Sequence, residues 1–295
     1  MPAPESEVAI TAELVARLVH EQHPELSGTV RFAGHGWDCD LFRLGETRAV
    51  RLPRRREGEP PVRNEQRWLG RLAAAVPVPI PVPIAMGKPT NGYPWIWSII
   101  PWFDGVPADA VATARRDRCA SRLGEIVAAL HDPAPHDAPV STYRGVPLRE
   151  RDAGVRKQVE DIGATAKGAL EVWHTALEAR PHAGRSWTHG DLHPANLLLQ
   201  ADGSDGRIAA LIDFGDLSGG DPAVDLAAAW LFFSPDGRVR FREAADGARG
   251  YDADTWQRAR GWAVDISLGL LKHSDGSARM TALGLAGLAA AILPD

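Results

Sequence analysis

The order of its segments predicts an α+β protein in two parts: a small β-rich N-terminal lobe, residues 1–103, and a larger, mainly helical C-terminal lobe, residues 104–295. Three observations carry this. Short strand-like runs crowd residues 29–52, helical periodicity dominates from residue 112 onward, and one β-hairpin interrupts the helical part. In order, Ile10 to His20 places Ile10, Leu14, Val15 and Leu18 at helical spacing. Val30–Phe32, Leu41–Leu44 and Ala49–Leu52, separated by Gly34-His35-Gly36 and Gly45-Glu46, predict a three-stranded meander. Val62 to Ala75 predicts a helix with Val62, Leu69 and Leu72 on one face. Pro77 to Pro83 has proline at every second position, which forces an extended chain. Tyr93 to Ile100 is aromatic and β-branched and predicts a strand, followed by a turn-rich crossing to Pro107 and helical sequence from Asp109. Ala112 to His131 predicts one amphipathic helix. Leu148 to Arg180 reads as mostly helical, as does the chain from Pro222 onward.

The composition narrows the class. Hydrophobic content of 44% with 24% charged residues is that of a globular protein able to bury a core. A net charge of −5 argues against a nucleic-acid surface as the main partner. Cys39 and Cys119 are the only cysteines, so no disulfide framework or cysteine-rich metal site is expected, and a reducing, cytoplasmic setting follows. Met1 to Glu7 is acidic and proline-containing, unlike a secretory signal. Ala282 to Leu293 is the longest apolar stretch and falls short of the roughly 20 residues a membrane span needs, so it predicts a buried terminal helix and no membrane partner. Lysine is scarce: Lys88, Lys157, Lys167 and Lys272 are the only four, and arginine supplies the other basic side chains. Eight tryptophans (Trp68, Trp95, Trp97, Trp173, Trp187, Trp230, Trp256 and Trp262) have apolar neighbours and are expected in the core.

The densest chemistry lies between His189 and Asp216. His189-Gly190-Asp191-Leu192-His193-Pro194-Ala195-Asn196 precedes the apolar run Leu197–Leu199; Asp202 to Gly206 supplies turn residues; Ile208–Ile212 then leads into Asp213-Phe214-Gly215-Asp216. Two short apolar runs joined by such residues predict a hairpin. A hairpin brings the start of its first strand beside the end of its second, so Asn196 and Asp213 come together, with Asp191 just before them. Two oxygen ligands for a hard divalent cation beside a carboxylate fit phosphoryl transfer. Asp191 would accept or orient the proton of an attacking hydroxyl, while Asn196 and Asp213 would hold Mg2+. Each residue taken alone could equally cap a turn; the joint spacing favours the chemical reading. His189-x-Asp191-x-His193 could also be read as a transition-metal strip, but no further histidine cluster completes it, and bracing of the loop by His189 is the preferred role.

The order of these parts resembles the aminoglycoside phosphotransferase family, small-molecule kinases that are protein-kinase-like in fold. The likeness rests on His189 to Asn196, on Ile212 to Asp216, and on Gly220-Asp221-Pro222 followed by Asp225-Leu226-Ala227. It implies a two-lobed protein-kinase-like fold with a nucleotide cleft between the lobes and ATP or GTP as co-substrate. It implies Asp191 as the catalytic aspartate, Asn196 and Asp213 as magnesium ligands, and Asp225 as a buried brace of the catalytic loop. A basic residue is expected on the third strand of the small lobe, and Arg51 stands there in place of the usual lysine, keeping charge and fork geometry. Its partner is expected to be Glu65, which falls three residues after Val62 and four before Leu69, on the apolar face of its helix. A first-turn glutamate favouring the helix dipole is the alternative. By order alone, Gly34 and Gly36 stand where a phosphate-covering loop belongs, and the carbonyl of Pro101 and amide of Phe103 stand where adenine would be held.

The acceptor is less defined. Acidic candidates for receiving a polycationic sugar are Glu160, Asp161, Asp216, Asp265 and Asp295. The resemblance implies a kinase acting on a small-molecule hydroxyl, such as that of an aminoglycoside-type antibiotic. It spans kinases of macrolides, choline-like alcohols, homoserine and ketosamines as well, so the fold does not choose among them. A nucleotide-binding pseudokinase is the other alternative, weakened by the presence of Asp191, Asn196 and Asp213. The choice between ATP and GTP and the oligomeric state are left open.

Overall fold

A computed structural model describes residues 4–200, 206–274 and 276–293. The hairpin turn expected over Asp202–Asp205 and the acidic candidate Asp295 lie outside the described residues. The chain divides into two compact units. Of the described residues, the smaller comprises 4–75 and 79–104, and the larger 76–78 and those from 105 to 293.

In the smaller unit, helix α1 (Ala12–Gln22) precedes strands β1 (Val30–His35), β2 (Cys39–Leu44) and β3 (Arg48–Pro53); helix α2 (Glu59–Leu72) follows, then β4 (Ala85–Gly87) and β5 (Trp97–Pro101). The five strands form one antiparallel sheet in the order β1-β2-β3-β5-β4. Thr11 caps α1 through its hydroxyl, which accepts from the Leu14 amide. The apolar face of α1 (Leu14, Val15, Leu18, Val19) shares a core with Phe42, Leu44, Val50, Leu52, Trp97 and Ile99. Each such side chain contributes about 1.5–3 kcal/mol on burial. The meander expected from the sequence is present, but β1 extends through Gly34 and His35. The reversal begins at Gly36, whose amide donates to Cys39 O at 2.8 Å. Gln66 of α2 donates to Trp97 O (2.9 Å) and Ser98 Oγ (3.0 Å) of β5, which fixes the rotation of α2 on the sheet.

In the larger unit, β6 (Val106–Pro107) leads to the short helix α3 (Thr113–Arg116), a 3-10 turn at Asp117–Cys119, and α4 (Ala120–Leu130). The single helix expected over Ala112–His131 is therefore tightened in its middle. Asp117 accepts there from the Ser234 amide (3.0 Å) and hydroxyl (2.5 Å), a tertiary bond no local pattern reveals. Next come α5 (Leu148–Ile162), α6 (Ala169–Glu178), β7 (Ser186–Thr188), β8 (Leu197–Leu199), β9 (Ile208–Leu211) and β10 (Ser218–Gly220). Helices α7 (Ala223–Leu226), α8 (Ala228–Phe232), α9 (Pro235–Arg249), α10 (Ala253–Lys272) and α11 (Ala278–Ile292) complete the unit. Strands β8 and β9 pair antiparallel with β6 on the outer side of β8, and β7 pairs with β10. α10 is the central element, packed by α5, α6, α7, α8 and α11, with Trp262, Val264 and Ile266 fully buried. All eight tryptophans named above are at least 94% buried. α11 buries Leu283, Leu288 and Ala291 and exposes Leu285, so it is a covering helix with one apolar face. No helix among the described residues is long and apolar enough to cross a membrane.

Candidate active site

The segment after β7 has almost every backbone group assigned. Asp225, on α7 and fully buried, accepts from the amides of His189 (2.7 Å) and Gly190 (2.9 Å), and its Oδ2 also lies 3.2 Å from His131 Nε2. The other ring nitrogen of His131 meets Tyr251 Oη at 2.7 Å. Gly190 has φ +83°, and a Cβ there would stand 2.6 Å from Asp216 O, so both backbone angle and space demand glycine. His189 Nδ1 accepts from the Asp191 amide (3.3 Å), which leaves Nε2–H to donate to Ile212 O (3.0 Å). With both nitrogens engaged and the ring against Phe214, His189 braces the loop and is not available as a metal ligand. Among the described residues, no group of three or more His, Cys, Asp or Glu side chains is placed to hold a metal.

The β8–β9 hairpin then juxtaposes the two oxygen ligands expected from the sequence. Leu197 pairs with Leu211, and Ile212 N donates to Asn196 O at 3.0 Å, so Asn196 and Asp213 emerge at the same end. Asn196 turns its Nδ2 toward Asp191, 2.9 Å from O and 3.4 Å from Oδ2, leaving its Oδ1 as the atom suited to a cation. Asp213 is the one non-glycine residue with positive φ (+60°) among the described residues. Asp tolerates that left-handed conformation better than most side chains, and such outliers concentrate at functional sites. Its side chain is on the exposed side of the loop.

Asp191 is held between Arg144 and His193. Its Oδ1 meets Arg144 Nη2 at 3.2 Å and its Oδ2 meets His193 Nε2 at 3.4 Å. Burial pushes the Asp191 carboxyl up, but His193 and Arg144 outweigh it and hold the group well below the usual carboxylate range. Reciprocally, burial would lower His193, and the Asp191 carboxylate raises it to a net upward displacement. A carboxylate this firmly ionised is a weak base. It suits the orientation of a hydroxyl more than early removal of its proton. Arg144 was not singled out by the sequence; 47 residues separate it from Asp191 and no local pattern marks it.

In the smaller unit, Arg51 Nε and Glu65 Oε2 form an ion pair at 3.0 Å, with the glutamate side chain 4% exposed. Pro101 ends β5 opposite Arg48, and Phe103 follows two residues later, half-buried; between them, the Trp102 amide donates to Thr47 O. Gly34 lies within β1 and Gly36 opens the turn to β2.

Of the acidic candidates, Asp216 and Asp265 both act, with Asp191, on the Arg144 guanidinium. Glu160 and Asp161 lie near the end of α5, where Asp161 is paired with Lys157 (3.1 Å) and Lys272 (3.4 Å). Asp265 is buried on α10 in a two-pronged pair with Arg151 at 2.9 and 3.1 Å. Asp216 accepts from Tyr143 Oη at 2.5 Å. Burial, then the neighbouring Asp191 charge, raises its carboxyl to about 6, against the opposing pull of Arg144 and Tyr143.

Known proteins share this fold. The fold is similar to that of an aminoglycoside 2'-phosphotransferase-IIIa in complex with GDP, with TM-score 0.68, 19% identity and 96% and 99% of the two chains covered. A GDP and kanamycin complex of an aminoglycoside phosphotransferase gives TM-score 0.67 at 20% identity over 88% and 89% of the chains. The macrolide 2'-phosphotransferase of Brachybacterium faecium gives 0.62 at 23% identity over 94% and 98%. A stretch of 93 residues is 35% identical to thiamine kinase of Escherichia coli (strain SMS-3-5 / SECEC), spanning 32% of each chain, so this chain matches about a third of that relative's length. Residues 29–262 match the model of the phosphotransferase enzyme family, and the chain belongs to that family of small-molecule kinases.

Proposed function

We propose that the enzyme transfers the γ-phosphate of ATP or GTP, as its magnesium complex, to a hydroxyl of a small molecule. The observation that carries this is the meeting of Asn196 and Asp213 at one end of the β8–β9 hairpin, with Asn196 Nδ2 bonded to the Asp191 backbone oxygen. The residues fit magnesium: an amide oxygen and a carboxylate are the one or two hard ligands that this ion takes from protein when phosphates and water supply the rest. Magnesium, once bound, neutralises charge on the transferring phosphates. Asp191 receives the acceptor hydroxyl in a hydrogen bond and aligns it for in-line attack, and takes up its proton as the new P–O bond forms and the bond to the nucleoside diphosphate breaks. Asp225, His131 and His189 keep that carboxylate in place. In the smaller unit, Arg51, held by Glu65, offers its guanidinium to nucleotide phosphate oxygens. Gly34 and Gly36 bring backbone near the phosphates, and the Pro101 carbonyl and Phe103 amide receive the adenine or guanine edge. A cytoplasmic location belongs to the same reading, supported by two buried free thiols, Cys39 and Cys119.

The similar proteins act, by name, on aminoglycosides, macrolides and thiamine, which supports a small hydroxylated molecule as the acceptor. Asp216 and Asp265 act with Asp191 on the Arg144 guanidinium, whereas Asp161 is paired with Lys157 and Lys272. The test is acceptor-dependent release of nucleoside diphosphate from Mg-ATP and Mg-GTP by wild-type and Asp191→Ala protein. Release by the wild type that falls by about 10³-fold or more in the variant, with nucleotide affinity within a few-fold, is expected. Equal turnover by the two proteins would remove Asp191 from the reaction.

A further inference from the structure

Asp191 has contacts on both carboxylate oxygens, and they are not equivalent. Oδ2 takes two long ones, from His193 Nε2 and Asn196 Nδ2, each at 3.4 Å. Both converge on one atom, so they leave the plane of the carboxylate free to pivot about it. Oδ1 takes one contact, from Arg144 Nη2 at 3.2 Å. That third point, on the other oxygen and from another part of the chain, is the one that sets the plane. Each oxygen of an ionised carboxylate has about two acceptor positions, so Oδ1 retains one for a hydroxyl. The Asp191 side chain is 27% exposed, which leaves room for a hydroxyl to reach it.

Arg144 is itself fixed, through its backbone and through its charge. Arg144 N and Tyr143 N donate to Ser141 Oγ at 2.8 and 3.2 Å. Gly145, at φ +64°, lies directly against β10. Asp221 N donates to its carbonyl at 2.7 Å, and a Cβ on Gly220 would stand 2.6 Å from the same oxygen, so no side chain fits between the two segments. Gly219 N donates to Pro139 O at 2.9 Å, and Arg185 donates to the carbonyls of Ala138, Pro139 and Gly219. Residues 139–145 are therefore docked at both ends. Burial works against the Arg144 charge, and the carboxylates of Asp191, Asp216 and Asp265 outweigh it. Of those three, Asp265 is paired with Arg151 at 2.9 and 3.1 Å, and Asp216 accepts from Tyr143 Oη at 2.5 Å. Asp191 is the carboxylate that the guanidinium meets directly.

Resting on the kinase reading above, we propose that Arg144 is a positioning residue for phosphoryl transfer. Its bond to Oδ1 sets the carboxylate plane of Asp191, so that the remaining acceptor position of that oxygen receives the hydroxyl in line with the phosphate. Arg144 acts through Asp191. Positioning supplies most of the catalysis in phosphoryl transfer, and a misplacement of about 1 Å costs about 10²-fold. A guanidinium suits the task, because its planar fork stays charged and keeps its direction, whereas an ammonium brings a point charge on a flexible stem. The contrary role, a guanidinium that blocks Asp191 until an acceptor displaces it, would require the side chain to leave a place where three carboxylates hold its charge. It also predicts the opposite sign when the arginine is removed.

The experiment compares wild type, Arg144→Lys, Arg144→Ala and Asp191→Ala. Nucleoside diphosphate release from Mg-ATP and Mg-GTP is followed with kanamycin, erythromycin, thiamine or water alone as acceptor, and calorimetric titration gives nucleotide affinity. Arg144→Ala is expected to lower kcat about 10²-fold with the nucleotide Kd within about twofold. Methylguanidine restores part of the rate to Arg144→Ala and none to Asp191→Ala. Arg144→Lys keeps a charge among the three carboxylates and shows an intermediate fall; it carries both readouts should Arg144→Ala fail to fold. Crystal structures of wild type and variant give a second readout that needs no acceptor: the Asp191 carboxylate is turned, or its Oδ1 disordered, once the arginine is gone. A carboxylate in the wild-type orientation, or a kcat within about twofold of wild type, overturns the proposal. Faster release by Arg144→Ala, with or without acceptor, overturns it in favour of a blocking guanidinium. These outcomes leave the kinase reading standing. Undiminished release by Asp191→Ala, or no binding of Mg-nucleotide by the wild type, strikes the kinase reading itself.

Discussion

Replacing Asp225 by asparagine is the sharpest test of how the catalytic loop is held. The carboxylate is fully buried and accepts from two amides, His189 N on Oδ2 at 2.7 Å and Gly190 N on Oδ1 at 2.9 Å, with His131 Nε2 also on Oδ2 at 3.2 Å. An asparagine keeps the shape but presents one oxygen and one NH2. Whichever way it turns, a donor faces at least one of the two amides. One charge-assisted bond, worth about 1.5–3 kcal/mol, is lost, and a buried N–H is left unsatisfied at about 1–3 kcal/mol. The two overlap, so a loss of about 3–4 kcal/mol in unfolding free energy is expected. Because the affected amides immediately precede Asp191, kcat should fall at least about tenfold while the nucleotide KM changes little. Urea unfolding with steady-state kinetics on the same preparations checks both. A midpoint within error of wild type, or a stability loss below about 1 kcal/mol, would refute the bracing role. His131→Ala serves as the comparison and should cost less, since it leaves both amide bonds of Asp225 in place.

Gly190→Ala forces an L-residue to φ +83° and sets a Cβ 2.6 Å from Asp216 O. A loss of about 2–4 kcal/mol and a marked drop in turnover are expected, and an unchanged urea midpoint would contradict the geometry. Asp216→Asn probes a carboxyl whose folded pKa is raised to about 6 from an ordinary 3.8. The folded protein binds that proton more tightly than the unfolded chain, so wild-type stability declines as pH rises from about 4 to about 6. The variant lacks this decline and should gain on wild type across the same window, by up to about 3 kcal/mol at about 1.4 kcal/mol per pH unit; a stability difference that does not change with pH would exclude the effect. Arg51→Ala should raise the nucleotide KM more than Glu65→Ala does, because only the arginine is assigned to phosphate. Equal or reversed effects in the release assay would count against that assignment.

Several elements were legible because their signals are local. The hairpin over 197–211 follows from two apolar runs and intervening turn residues, and it alone places Asn196 beside Asp213. Glu65 could be placed on the inner face of α2 from its spacing to Val62 and Leu69, and the structure seats it 3.0 Å from Arg51 Nε. The two-part α+β plan followed from the change of periodicity near residue 109. What escaped is non-local or very short. β6, β7 and β10 have two or three residues each, too few to show an alternation, and exist because partners distant in sequence complete them. The 3-10 turn at Asp117–Cys119 depends on Ser234, and the Asp225–His131 contact spans 94 residues. The acidic residues show the same limit from another side. A carboxylate in a sequence carries no mark of whether an arginine such as Arg151 will meet it.

The same division separates the chemistry of transfer from the choice of acceptor. Asp191, Asn196 and Asp213 lie within one loop and the hairpin that follows, so a short motif can specify phosphoryl transfer almost completely. Asp191 Oδ1 is met by Arg144 from residues 139–145, which are docked on β10 by backbone bonds and by Arg185. Those bonds use carbonyls and amides, and therefore constrain the path of the segment far more than the identity of its side chains. Arg144 is itself one of the groups that hold Asp191 ionised, so this segment acts on the motif from outside it. Likeness in the loop from His189 to Asn196 carries little information about which acceptor this protein takes. The segment outside the motif that reaches Asp191 is residues 139–145, and it presents a guanidinium.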